Sequence, residues 1–138
     1  MNSAATALLA QRLLALPFGV LGAWCLAAPG MVESLTVRPE HQHNSETTAI
    51  LIGCFGAQAL LNALFILSSK FTRRTFFAYG VALSPFFAFN YYFIFVRPIF
   101  NQWLAIDFVA NLFMLALCVI GWRAAPPDGA LASLVKSR

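Results

Sequence analysis

From Ala49 to Leu67 the chain runs without a single charged residue, and only Gln58 and Asn62 interrupt it as strongly polar side chains. A helix crosses the ~30 Å hydrocarbon core of a bilayer with about 20 mostly apolar residues. This stretch alone therefore predicts a membrane span. Two more follow, at Phe76–Phe95, bounded by Arg73-Arg74 and Arg97-Pro98, and at Trp103–Trp122, with a tryptophan at each end as interfacial belts produce. A fourth lies upstream, clean from Leu13 to Ala28, and reaches spanning length if the helix starts near Ser3 and Arg12 snorkels to the headgroups. Runs this continuous lack the alternation of a barrel strand, so the fold expected is an all-α integral membrane four-helix bundle.

Composition agrees. Of 138 residues, 60% are hydrophobic and 10% charged, against roughly 25% charged in a soluble domain. Too few charges are present to coat a soluble surface, and the hydrophobicity excludes disorder. One membrane domain, 1–138, is expected, with spans at about 4–28, 48–68, 75–96 and 103–122, an outer connection at 29–47 and a tail at 123–138. The first span could be mistaken for a signal peptide. Its apolar run is long for one, and Leu26-Ala27-Ala28 before Pro29 is a poor cleavage site.

With four spans, both termini and the 2–3 connection share one side. That side carries Arg12, Lys70, Arg73, Arg74, Arg123, Lys136 and Arg138, while Arg38 and Arg97 lie opposite. The positive-inside rule then puts both termini in the cytoplasm. The net charge of +4 is matched to anionic lipid rather than to nucleic acid, for which no clustered basic stripe exists. The expected surroundings are the lipid bilayer and, at an interface, a second copy or another membrane protein. The compartment stays open between a bacterial inner membrane and a eukaryotic organelle or plasma membrane.

Short 2–3 and 3–4 connections predict that the last three spans are antiparallel neighbours. The 1–2 connection is long, and its apolar Met31, Val32, Leu35 and Val37 suit either an interfacial segment or a surface loop. Polar side chains inside spans are costly and need partners. Gln58 and Asn62 are four residues apart on the second span, as are Asp107 and Asn111 on the fourth, so each pair shares a helix face. Asn90 and Arg97, seven apart, share a face of the third span. If these faces turn inward, Gln58, Asn62, Asn90, Arg97, Asp107 and Asn111 form a polar ladder, with Asp107 paired to Arg97. Ligand contact is one use of such a ladder; interhelical hydrogen bonding at ~0.6–2 kcal/mol each is the other.

Small residues predict packing. Gly19, Gly22 and Ala23 on the first span and Gly53, Gly56 and Ala57 on the second would let two backbones approach closely. The third span holds ten Phe or Tyr residues between Phe76 and Phe95, and Pro85 predicts a kink that frees the Val81 carbonyl. An aromatic, kinked helix could line a pocket for a flat apolar molecule or simply face lipid. His41 and His43 could form a weak metal site but read more naturally as solvated, so no metal is expected. Cys25, Cys54 and Cys118 lack metal or redox spacing and are expected to be buried free thiols. No nucleotide loop, zinc-protease motif or nucleophile elbow is present.

A first span ending in Ala28-Pro29-Gly30, an interfacial segment and three closely spaced helices, with Cys54-Phe55-Gly56-Ala57-Gln58-Ala59 and Phe89-Asn90-Tyr91-Tyr92 as distinctive stretches, resembles in layout the small four-helix membrane proteins of the DoxX-like group. Some members of that group are similar to subunits of quinone-linked sulfur oxidation, and most have no assigned function. The resemblance carries over no catalytic residue. The expected role is non-enzymatic: binding a lipid-like molecule or a membrane partner through the ladder, with no cofactor required. The alternatives are a redox-associated subunit holding a quinone near Asn90, Asp107 and Asn111, or a small proton-coupled transporter using Asp107.

Overall fold

The computed structural model describes residues 3–126; Lys136 and Arg138, and most of the tail expected at 123–138, lie outside them. The described chain is all-helical, and its one β-type feature is an isolated bridge between Val37 and Phe100. Four helical stretches are long and apolar enough to cross a membrane: Ser3–Ala27, Glu46–Ser68, Arg73–Val96 and Gln102–Ala124. These are spans 1 to 4.

Span 1 is one helix, α1 (Ser3–Ala27), and Pro29-Gly30 starts a second, short helix, α2 (Pro29–Thr36). The connection is therefore helical rather than a plain loop, and a single 3₁₀ turn, Pro39–His41, follows it. Span 2 is α3 (Glu46–Ser68), opened by Ser45, whose hydroxyl accepts the Thr48 N–H at 3.2 Å. Span 3 is broken as Pro85 requires: α4 (Arg73–Ala82) ends and α5 (Ser84–Tyr91) begins on either side of Leu83. The Val81 carbonyl freed by proline accepts the Ser84 hydroxyl at 2.8 Å. A π-helical turn, Tyr92–Val96, then closes the span. Span 4 is α6 (Ala105–Ala124), preceded by a 3₁₀ turn, Gln102–Leu104.

Packing differs from the expected order. Span 1 is central and packs on span 2 and on span 4, while span 4 carries span 3 on its other side; spans 2 and 3 make little contact. Short connections bring helix ends together but do not oblige helix faces to meet. The spans 1–2 contact forms where both backbones are bare. A methyl group on Gly56 would stand 2.6 Å from the Gly22 carbonyl oxygen and from the Leu26 nitrogen; one on Gly22 would stand 2.9 Å from Ala59 Cβ. Gly19 and Gly53 have open space at that position, and Ala23 and Ala57 are exposed. The seam is thus Gly22 and Gly56, one member of each expected patch, together with Ala59, which neither patch included. A second close approach, not expected, seats the Phe76 ring on Gly121 and ties span 3 to span 4. Around it lies the core: Leu14, Ile66, Phe76, Leu83, Met114 and Leu117.

The two ends are stitched differently. At the end holding the start of span 1 and the 2–3 connection, the Gln11 amide donates to the carbonyls of Ile66 (2.6 Å) and Ser69 (2.7 Å). Its Oε1 accepts the Phe71 N–H at 3.1 Å. A helix leaves its last carbonyls unpaired, so Gln11, only 5% exposed, caps span 2 from span 1. Arg73 Nε caps span 4 likewise through Ala125 O at 2.7 Å. At the other end the 1–2 and 3–4 connections are laced together by Arg38 N–H to Ile99 O (2.9 Å), Asn101 N–H to Thr36 O (2.9 Å) and the Asn101 amide to Leu35 O (2.7 Å). Glu33, 2% exposed, fixes the loop beneath: its Oε1 accepts the His43 and Asn44 N–H groups at 2.8 and 3.1 Å. Asn44 takes the left-handed conformation (φ 47°), which asparagine tolerates better than most residues.

Candidate functional site

The expected ladder divides into two unlike parts. The first is a buried cluster between α5 and α6. Asn90 and Asn111 are each 1% exposed. The Asn90 amide donates to Asp107 Oδ2 at 2.8 Å, and the Asn111 amide donates to the same oxygen at 2.9 Å and to the Asp107 carbonyl at 2.8 Å. Asn111 has two N–H bonds, and both are spent on Asp107. Spans 3 and 4 are therefore joined here by the Asn90–Asp107 hydrogen bond, which Asn111 braces from within span 4, and Phe87 against Phe108 (5.7 Å, edge-to-face) reinforces the same contact. One acceptor, Asn90 Oδ1, is buried without a partner among the described residues.

Arg97 does not belong to this cluster. It is exposed, and Asp107 takes its bonds from the two amides with no ion pair to Arg97. The π turn explains the difference. An i→i+5 turn holds one residue more than an α turn, and each residue is worth roughly 100° of rotation at 3.6 residues per turn. Seven-residue spacing from Asn90 thus no longer returns Arg97 to the same face.

The second part is a groove between spans 2 and 3, where those helices stand apart. It has a volume of about 560 Å³ and is walled by Phe18, Phe55, Phe65 and Phe86, with Gln58 and Asn62 on one side. Asn62 donates to the Tyr79 hydroxyl. Tyr79 in turn packs edge-on to Phe18 (6.2 Å) and tilted against Phe71 (5.8 Å), which fixes one end of the groove. Gln58 is exposed and its amide makes no hydrogen bond among the described residues. It sits near the middle of α3 (Glu46–Ser68). Of the aromatic residues expected to line a pocket, Phe86 does so, but Tyr91 and Phe95 face outward.

Among the described residues, no group of three or more His, Cys, Asp or Glu gathers where a metal could be held, and His41 and His43 are both exposed. The cysteines are free, Cys25 and Cys118 buried; Cys54, against expectation, is exposed because its face of span 2 has no neighbour. Sequence reading missed Gln11 and Glu33. Gln11 falls just before the clean apolar run and next to Arg12, so it looked like a boundary residue; Glu33 looked like one acid among three in a polar connection. A faint signal existed for Gln11, since an amide inside a helix of spanning length needs partners.

No family model, curated protein or solved structure matches this chain. What the site does must come from its own geometry.

Proposed function

We propose that the protein is a multi-pass membrane protein, both termini cytoplasmic, which binds a lipid-like small molecule in the groove between spans 2 and 3. The observation that carries this is Gln58. A primary amide halfway along an apolar span, with no partner among the described residues, costs free energy in hydrocarbon until something supplies a hydrogen bond. The groove beside it falls within the 300–1,000 Å³ typical of small-molecule sites, and aromatic walls with one or two polar anchors are the usual lining. A rigid apolar body would lie between Phe18, Phe55, Phe65 and Phe86, with its polar group on Gln58. The buried cluster at Asp107 serves the scaffold in this reading: Asn111 has no N–H left for a quinone carbonyl. Orientation follows from the basic residues, since Arg12, Lys70, Arg73, Arg74 and Arg123 mark one end.

Native mass spectrometry after gentle extraction tests the binding. Wild type is expected to retain a discrete small apolar molecule, and Gln58→Leu to lose it while melting at the same temperature. Retention of nothing by wild type, with dimers crosslinked through cysteine at position 58, would replace the ligand by a second copy.

A further inference from the structure

Beyond the groove, the laced end of the molecule holds a second cleft, about 430 Å³, lined by Arg38, Pro39, Glu40, Asn101, Gln102 and Trp103. Its two lips come from connections 60 residues apart in sequence, held by the Val37–Phe100 bridge and by Arg38 N–H to Ile99 O at 2.9 Å. Arg38 is half-buried, and its Nε donates to Phe100 O at 3.2 Å, which anchors the guanidinium and leaves both terminal nitrogens without a partner among the described residues. Asn101 is structural: its amide holds Leu35 and its Oδ1 accepts the Trp103 N–H at 2.9 Å. Gln102 and Glu40 are exposed and make no side-chain bond among the described residues. Arg38 and Glu40 therefore share one cleft without pairing to each other. Trp103, 54% exposed, stands where span 4 begins, the level at which tryptophan meets a headgroup region.

We infer that this cleft is a binding site for a zwitterionic phosphate–ammonium headgroup, as carried by phosphatidylethanolamine. The two terminal nitrogens of Arg38 match two phosphate oxygens, with the Gln102 amide as an added donor. Glu40 accepts the N–H groups of the ammonium, and Trp103 lies against the glycerol end of the acyl chains. An anionic headgroup such as phosphatidylglycerol satisfies Arg38 but leaves Glu40 facing a group of no positive charge. A separated pair of opposite charges, the positive one anchored at Phe100 O, selects a ligand carrying both signs.

The full-length protein, exchanged into micelles holding equimolar phosphatidylethanolamine and phosphatidylglycerol, is read by native mass spectrometry for retained lipid. Wild type is expected to favour phosphatidylethanolamine about fivefold, Glu40→Gln to erase the preference while still retaining lipid, and Arg38→Gln to lose both lipids. Glu40 touches nothing structural, so its variant reads out even if Arg38→Gln disturbs the bridge. Gln58→Leu leaves the lipid ratio unchanged, which separates this cleft from the groove. Displacement by soluble glycerophosphoethanolamine would assign the site to the headgroup alone, and persistence to the whole lipid; both keep the chemistry. An unchanged ratio in Glu40→Gln, or a wild type that favours phosphatidylglycerol, overturns it.

Discussion

Two pairs of polar residues with the same spacing end in opposite situations. Asp107 on span 4 accepts from Asn111 on its own helix and from Asn90 on the neighbouring one, which closes the pair in. Gln58 and Asn62 on span 2 look onto a groove, and the Gln58 amide has no hydrogen bond among the described residues. Span 4 has helices on two sides, span 1 and span 3, whereas span 2 is engaged chiefly by span 1. The difference teaches that i,i+4 spacing fixes only that two side chains share a face. Whether the face becomes scaffold or site depends on which helix comes to cover it.

The comparison can be broken at its foundation. Span 2 stands away from span 3 because it is held to span 1 at Gly22 and Gly56. Gly56→Val drives side-chain atoms into the backbone of span 1, and should destabilise by about 3 kcal/mol, the upper part of the range for overpacking. Thermal unfolding in detergent reads this, and Gly53→Val, in open space, should do far less. Equal effects at both positions would remove the seam from the account.

Next in size is Gln11→Leu, which strips three hydrogen bonds from the end of span 2 and the start of the 2–3 turn. The expected loss is about 2 kcal/mol: the Ser69 carbonyl can recover water, whereas the Ile66 carbonyl and the Phe71 N–H are left buried. Hydrogen exchange should rise first at Phe71, whose N–H loses its acceptor.

Smaller still is Asp107→Asn. The new side chain keeps an oxygen for Asn90 and Asn111, and only the charge assistance is lost, about 1 kcal/mol. Asp107→Leu leaves the Asn90 amide buried without its acceptor and Asn111 with only the backbone carbonyl of residue 107, and should cost more than Asp107→Asn by a margin that unfolding resolves. A loss of ligand on Asp107→Asn without loss of stability would move the site from the groove to the cluster. At the bottom of the scale, Gln58→Leu should leave stability unchanged or slightly raised, because an unpartnered amide is replaced by an apolar group of similar size.

Much of this was legible in the residues. Charge-free runs bounded by Arg and Trp predict four apolar helices, and four are present; Pro85 predicts the break in span 3 and the Val81 carbonyl freed from its helical bond, which Ser84 takes up. Helix order in the bundle was not legible, because it rests on Gly22 meeting Gly56 while Gly19 and Gly53 meet nothing, and glycine spacing is alike in both cases. Arg97 was misplaced by a π turn that no residue in Tyr92–Val96 announces. Gln58 and Asp107 were both singled out, but their separation into groove and cluster depends on tertiary neighbours that spacing does not encode.

The central claim is that the Gln58 amide in the groove, and not the half-buried Asp107 carboxylate, holds the ligand. Native mass spectrometry of wild type, Gln58→Leu and Asp107→Asn, extracted side by side, tests it most directly. The account predicts a retained small molecule on wild type and Asp107→Asn and none on Gln58→Leu. Loss on Asp107→Asn with retention on Gln58→Leu would contradict it.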